Sequence, residues 1–183
     1  MHATSGMRTI ILPLILVAAL PAAALADPMK SDHASPPLEV TSTAFQNNAP
    51  IPAEYTCDGA STIPPLAWSH VPTAAKSIAI LVEDPDAPKG TYTHWLVTGI
   101  PPTTTSLERG GQLPGGAMAS KNDKGDTGFA APCPPSGRHR YRFEVFALDI
   151  AKPRATSRAD FLAAINGHIV AKGELVGTYQ KRG

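Results

Sequence analysis

No block of lysine or arginine occurs in this 183-residue chain, and no apolar run reaches the ~20 residues that a membrane span needs. Formal net charge is only +1. Together these absences argue against nucleic acid or an anionic membrane surface as the main partner. Also missing are an H-E-x-x-H pattern, a Gly-x-Ser-x-Gly element and a phosphate-cradling glycine loop, so no familiar metal or nucleophile signature points to catalysis. No internal repeat period is visible. Cysteine is scarce, with Cys57 and Cys133 the only two. Two readings of that pair stay open: a disulfide, or a nucleophilic thiol at Cys133 with His139 as its base. A disulfide would close 133 − 57 = 76 residues of chain and contribute ~4 kcal/mol by the chain-entropy argument.

The chain opens with Arg8, the apolar run Ile10–Leu20 and the small residues Ala24-Leu25-Ala26. That order predicts a signal peptide over residues 1–26, cleaved before Asp27, and hence a periplasmic or secreted protein. Cleavage leaves 183 − 26 = 157 residues and removes one base but no acid, so 15 basic residues face 15 acidic ones. Residues 27–37 are polar and proline-containing and read as a flexible leader. Residues 38–183 then suffice for one domain with a sizeable core. Within it, β-rich runs at Leu38–Phe45, Leu66–His70, Ser77–Glu83, His94–Ile100, Tyr141–Asp149 and Glu174–Gln180 alternate with Pro/Gly/Asp punctuation. This is a mostly-β pattern. Residues 110–131 form a long glycine-rich loop, and loops of that length in compact domains are commonly functional. One helix is predicted late, capped by Ser157 with Asp160 three residues on, carrying Phe161, Leu162 and Ile165, and ended by Gly167. His168, just past it, reads as a surface or helix-end histidine.

The chemistry gathers at two stretches. Pro132–Tyr141, with three prolines and Gly137, is a stiff loop running into a strand on which His139, Tyr141, Phe143 and Val145 share one face. The buried run Ile78–Val82 leads into Asp84-Pro85-Asp86-Ala87-Pro88, and a returning strand places His94 at the same sheet end. Two carboxylates and an imidazole therefore converge. The carboxylates can accept an N–H of His94 or His139 and aim the ring, leaving the other nitrogen for a ligand.

Asp84–Pro88, His94-Trp95-Leu96-Val97 and Cys133–Tyr141 resemble the two signature regions of the phosphatidylethanolamine-binding protein family, in its bacterial Raf-kinase-inhibitor-like branch. Tyr55–Gly59, Pro64–Trp68, Asn122–Gly125 and Gly173–Tyr179 resemble that branch as well. The resemblance spans roughly Leu38 to Tyr179. It implies a β-sandwich with a small number of short peripheral helices and one small pocket at a strand end. That pocket would take phosphate, a carboxylate or a phosphoryl-ethanolamine group. By matched position, Asp84, Pro88, Tyr92, His94, Pro135, His139 and Tyr141 would line it, with backbone at Cys133 contributing and Asp86 in support. Ala130-Ala131 stand where many relatives have glycines, which questions any backbone approach there that needs positive φ. The chain stops at Gly183 without the C-terminal helix of eukaryotic relatives, so their lipid gating and kinase regulation are not carried over. The implied function is a non-catalytic binding protein for a small anionic or zwitterionic ligand, without cofactor or metal. Inhibition of a protease or other partner through the proline loops is the alternative, a hydrolase the third choice. A protein partner and a homodimer remain open.

Overall fold

The computed structural model describes residues 1–2 and 36–182; the predicted signal peptide and most of the predicted leader lie outside the described residues. Among the described residues nine strands are formed: β1 (Glu39–Thr41), β2 (Ala49–Pro50), β3 (Leu66–Ser69), β4 (Ser77–Asp84), β5 (Tyr92–Ile100), β6 (Ser106–Leu107), β7 (Met118–Ala119), β8 (Arg138–Leu148) and β9 (Ile169–Gln180). One α-helix, α1 (Arg158–Ile165), and a 3-10 turn at Ala53–Tyr55 complete the elements. A three-stranded sheet, β1-β3-β6, faces a six-stranded one ordered β2-β9-β8-β4-β5-β7. Neither sheet is closed.

The layers follow from the faces of β4. All eight of its residues are buried. Ile78, Ile80 and Val82 pack with Trp95, Val97 and Phe143 against Val40, Leu66 and Trp68 of the small sheet. Ala79 and Leu81 point the other way and join Leu96, Phe146 and Leu148 beneath Phe161 and Ile165 of α1. An uninterrupted apolar run is what a strand covered on both faces requires. The helix begins where predicted: the Ser157 hydroxyl accepts the Asp160 N–H at 3.1 Å. His168 follows it and pairs with Asp149, Nδ1 to Oδ1 2.8 Å, with its side chain half-buried.

Three predicted bounds are corrected. The first strand ends at Thr41, because the Ser42 hydroxyl takes the Pro65 carbonyl and the Ala44 N–H and so bends the chain away. The last strand starts at Ile169 instead of Glu174, because β8 offers it an antiparallel partner from Leu148 back to Arg138. Gly173 and Gly177 sit in that strand for a reason: a Cβ would strike the Leu38 carbonyl at the first and the Ile51 side chain at the second. Third, the long loop contains β7 and hydrogen-bonds along the outer edge of β5, with Asp123 N–H to Thr93 O at 3.0 Å and Ala130 N–H to His94 O at 2.8 Å. Cys57 and Cys133 are joined, with Cα atoms 5.3 Å apart. The thiol alternative therefore falls. All peptide bonds among the described residues are trans.

Candidate anion-binding cavity

Three strand ends and two loops enclose a cavity of about 490 Å3. The strands contribute Asp84 from the end of β4, Tyr92 and His94 from the start of β5, and Tyr141 from β8. Ala87 and Pro88 follow Asp84 on one side, while Phe129–Ala131 and Cys133–Pro135 form the opposite wall. Cys57 also lines it, so the disulfide is itself part of the wall and ties the proline loop to the turn after Ala53–Tyr55. One backbone bond reinforces that tie, Cys57 N–H to Pro132 O at 3.0 Å.

Of the nine residues predicted for the site, seven line the cavity: Asp84, Pro88, Tyr92, His94, Cys133, Pro135 and Tyr141. His139 and Asp86 are not among the lining residues. His139 donates its Nδ1–H to Asp84 Oδ2 at 2.7 Å, while the other carboxylate oxygen accepts the Asp86 N–H at 2.8 Å. Asp86 accepts both the Arg140 N–H and its Nε at 2.9 Å, and Nη2 at 2.6 Å. That paired guanidinium holds the Asp86 carboxyl down at about 2. The two residues therefore position Asp84 and lash the acidic turn to β8.

His94 departs from one of the two expectations for it. Its Nδ1–H goes to the backbone carbonyl of Ala130, 2.7 Å away, and not to a carboxylate. Ala130 and Ala131 make this approach without positive φ, so glycine is not required there. The ring is packed between Tyr92, centroid distance 4.8 Å, and the edge of Tyr141, 5.1 Å. Burial is the main reason its pKa lies below the ordinary imidazole value, against the opposing pull of the Ala130 bond and Asp84. Burial likewise pushes the Tyr141 hydroxyl far above the ordinary phenol, so it keeps its proton and can donate.

Three buried side-chain atoms among the described residues have no hydrogen-bond partner: His94 Nε2, Tyr141 OH and Thr93 Oγ1. Two of them belong to cavity residues. Thr93 stands opposite Glu83 in the sheet register and is not part of the lining. Buried polar atoms are nearly always partnered, so two orphans at one cavity mark where an incoming group would bond.

The wall also includes residues that sequence reasoning did not place in the site: Ser61, Lys124, Asp126 and Phe129. The glycine-rich loop was the signal for three of these, but its residues are delivered by Asn122, a buried amide that no spacing rule identifies. Asn122 accepts the Lys124 and Asp126 N–H groups at 3.0 and 3.2 Å and donates to the Gly128 carbonyl at 3.0 Å. Among the described residues, no three His, Cys, Asp or Glu side chains gather as metal ligands.

Comparison with known proteins identifies the family. Residues 41–180 match the family model for phosphatidylethanolamine-binding protein. A UPF0098 protein of Methanothermobacter thermautotrophicus is 45% identical over 145 residues, covering 75% of this chain and 95% of the relative. One from Chlamydia muridarum is 40% identical over 151 residues, covering 79% and 99%. Among solved structures, a phosphatidylethanolamine-binding protein homologue from Chlamydia trachomatis superposes with a TM-score of 0.76 at 39% identity, covering 80% of this chain and 99% of that one. YbcL of E. coli, described as a member of the mammalian family of that name, gives 0.74 at 34% identity, covering 79% and 99%. On the match of sequence motifs, family model and fold together, the chain belongs to the phosphatidylethanolamine-binding protein family.

Proposed function

We propose that the protein is an exported, non-catalytic binding protein whose cavity takes a small anionic or zwitterionic group such as phosphate, a carboxylate or phosphoryl-ethanolamine. The observation that carries this is the pair of unpartnered buried atoms, His94 Nε2 and Tyr141 OH, at one polar cavity. Tyr141 OH donates to a ligand oxygen. Lys124 and Asp126, both largely exposed at the wall, pair with each other at 3.1 Å and can exchange that contact for the two charged ends of a zwitterion, while Asp84 supplies a buried carboxylate. Both cysteines are committed to a disulfide, which removes the one nucleophile the sequence offered beside a histidine. A disulfide also suits an oxidising compartment, in keeping with the predicted signal peptide.

The test is an NMR titration of the protein with phosphate and with phosphoryl-ethanolamine, beside His139→Ala, which frees Asp84 from its positioning bond. Saturable shifts around His94 and Tyr141, weakened in the variant, are expected. No binding at millimolar concentrations would sink the reading.

A second reading is inhibition of a protease or other partner enzyme. One observation favours it: Cys133 and Pro135 are exposed, while the disulfide holds their loop stiff. Unchanged rates across a panel of proteases would remove it.

A further inference from the structure

We propose that the cavity selects anions that carry a proton, monohydrogen phosphate and the monoanionic form of a phosphomonoester, over proton-free anions of the same shape such as sulfate, because the unpartnered nitrogen of His94 is a hydrogen-bond acceptor. This deepens the anion-pocket reading and rests on it.

The hydrogen on His94 is placed by its partner. A backbone carbonyl can only accept, so the 2.7 Å contact from Nδ1 to Ala130 O puts the hydrogen on Nδ1. In the neutral ring Nε2 is then a bare lone pair, buried and without a partner. Tyr92 and Tyr141 cover the ring, and its depressed pKa agrees with a neutral imidazole at physiological pH. The charged and titratable groups facing it are Asp84 from β4, His139 from β8 and Asp123 from the long loop. Lys124 and Asp126 stand farther along the cavity wall. Each Asp84 oxygen already accepts one hydrogen bond, which leaves His94 Nε2 as the buried acceptor at the cavity with no partner at all.

Of the buried atoms without a partner at the cavity, a ligand therefore meets one donor, Tyr141 O–H, and one acceptor, His94 Nε2. Monohydrogen phosphate matches both: one oxygen accepts from Tyr141 and its own hydroxyl donates to Nε2. Sulfate has the same tetrahedral shape and charge but no hydrogen to give. It would set a charged oxygen against a lone pair and leave a buried acceptor unpaired. A phosphodiester, the linkage of a phospholipid head group, lacks the hydrogen too. The difference is the cost of one unmet buried hydrogen bond, which corresponds to about tenfold or more in affinity. Acidification supplies the missing hydrogen from solvent by protonating Nε2, so sulfate affinity rises as pH falls while phosphate affinity changes less.

The experiment is a set of calorimetric titrations with inorganic phosphate, sulfate, methyl phosphate and dimethyl phosphate at matched ionic strength, from about pH 8 down to about pH 5.5, a span that brackets the ordinary imidazole pKa. Ring-nitrogen NMR of histidine-labelled protein accompanies them. The proposal expects inorganic phosphate, which keeps one hydroxyl at the upper pH, to bind about tenfold or more tightly there than sulfate, dimethyl phosphate and the proton-free methyl phosphate dianion, and methyl phosphate to approach phosphate as it gains its proton at about pH 6. It expects the sulfate gap to close on acidification. It also expects the free protein to show His94 Nε2 unprotonated, with a shift on adding phosphate. Equal affinities for phosphate and sulfate at every pH overturn the selectivity and leave the anion pocket standing. Binding of none of the four overturns both.

Discussion

Glu83 and Asp84 are consecutive residues of β4, both almost excluded from solvent, and they point to opposite sides of the large sheet into polar clusters of opposite kind. On the helix side Glu83 receives Arg158 through Nε at 2.8 Å and Nη2 at 3.3 Å, which docks the start of α1. Glu144, equally buried, receives Arg142 at 2.8 Å and Lys172 at 2.6 Å, and Arg142 reaches on to Glu174 at 2.6 Å. Three carboxylates meet three cations, and none of their buried atoms lacks a partner. On the cavity side Asp84 is held just as firmly, but His94 Nε2 and Tyr141 OH are left open. A buried cluster that completes itself contributes to the fold, whereas one that stays incomplete has bonding capacity left for something else. Burial alone would not have separated the two.

Mutations should pull these clusters apart. The largest expected effect comes from the cavity wall: replacing both Cys57 and Cys133 by Ser releases a 76-residue closure and should lower unfolding free energy by ~4 kcal/mol in denaturant melts. Phosphate binding should weaken with it, because the proline loop loses its anchor. Next is the closed cluster. Glu144→Ala strands Arg142 and Lys172, but their side chains are 36% and 42% exposed and can turn to water. The loss should be about 2–3 kcal/mol, below the full cost of orphaning a buried charge, with phosphate affinity unchanged. A fall in phosphate affinity comparable to that of a cavity mutant would blur the distinction between the clusters.

Acid should act on the tie between the acidic turn and β8. Asp86 has its carboxyl held at about 2 by Arg140, below its unfolded value near ~4, so its contribution is present above about pH 4 and is lost as pH falls towards 2. Allowing for solvent around the exposed guanidinium, that is about 1–2 kcal/mol, and Asp86→Asn should flatten this part of the stability profile. His94 adds to the loss in acid, nearer to neutral pH. Its folded pKa is depressed, so without ligand the unfolded ring binds the proton more readily, and stability should decline as pH drops below ~6.5. Sulfate, whose affinity rises as pH falls, should reduce that decline more than phosphate does. The smallest effect on stability is expected at Tyr141→Phe, which removes an unpartnered hydroxyl: a change within about 0.5 kcal/mol, with phosphate affinity down about tenfold.

Much of the cavity was legible in the sequence because its residues sit in stretches with strong local constraint. Asp84-Pro85-Asp86 is stiffened by its prolines, and Cys133–Gly137 leads straight into an alternating strand, so period and turn chemistry together placed Asp84, His94, His139 and Tyr141 at one sheet end. The core strands were legible for the same reason, as the unbroken Ile78–Val82 run shows. What was not legible depends on distant pairings. Nothing local tells that Arg158 will find Glu83, that Lys172 will find Glu144, or that the His94 ring will choose the Ala130 carbonyl over a carboxylate. Asn122 looked like part of a polar turn and proved to organise the loop that brings Lys124 and Asp126 to the cavity wall. The extra length of β9 was hidden because Lys172 and Gly173 read as loop residues until β8 supplies their partners.

The most direct test of the distinction is a pair of thermal melts, wild type and Tyr141→Phe, each with and without phosphate. The account predicts closely matched melting temperatures without phosphate, and a phosphate-dependent rise in the wild type that is much reduced in the variant. A variant that melts far below the wild type without phosphate, yet gains the full increment when phosphate is added, would contradict it: Tyr141 would then belong with the structural residues, and the open cluster would not be a binding site.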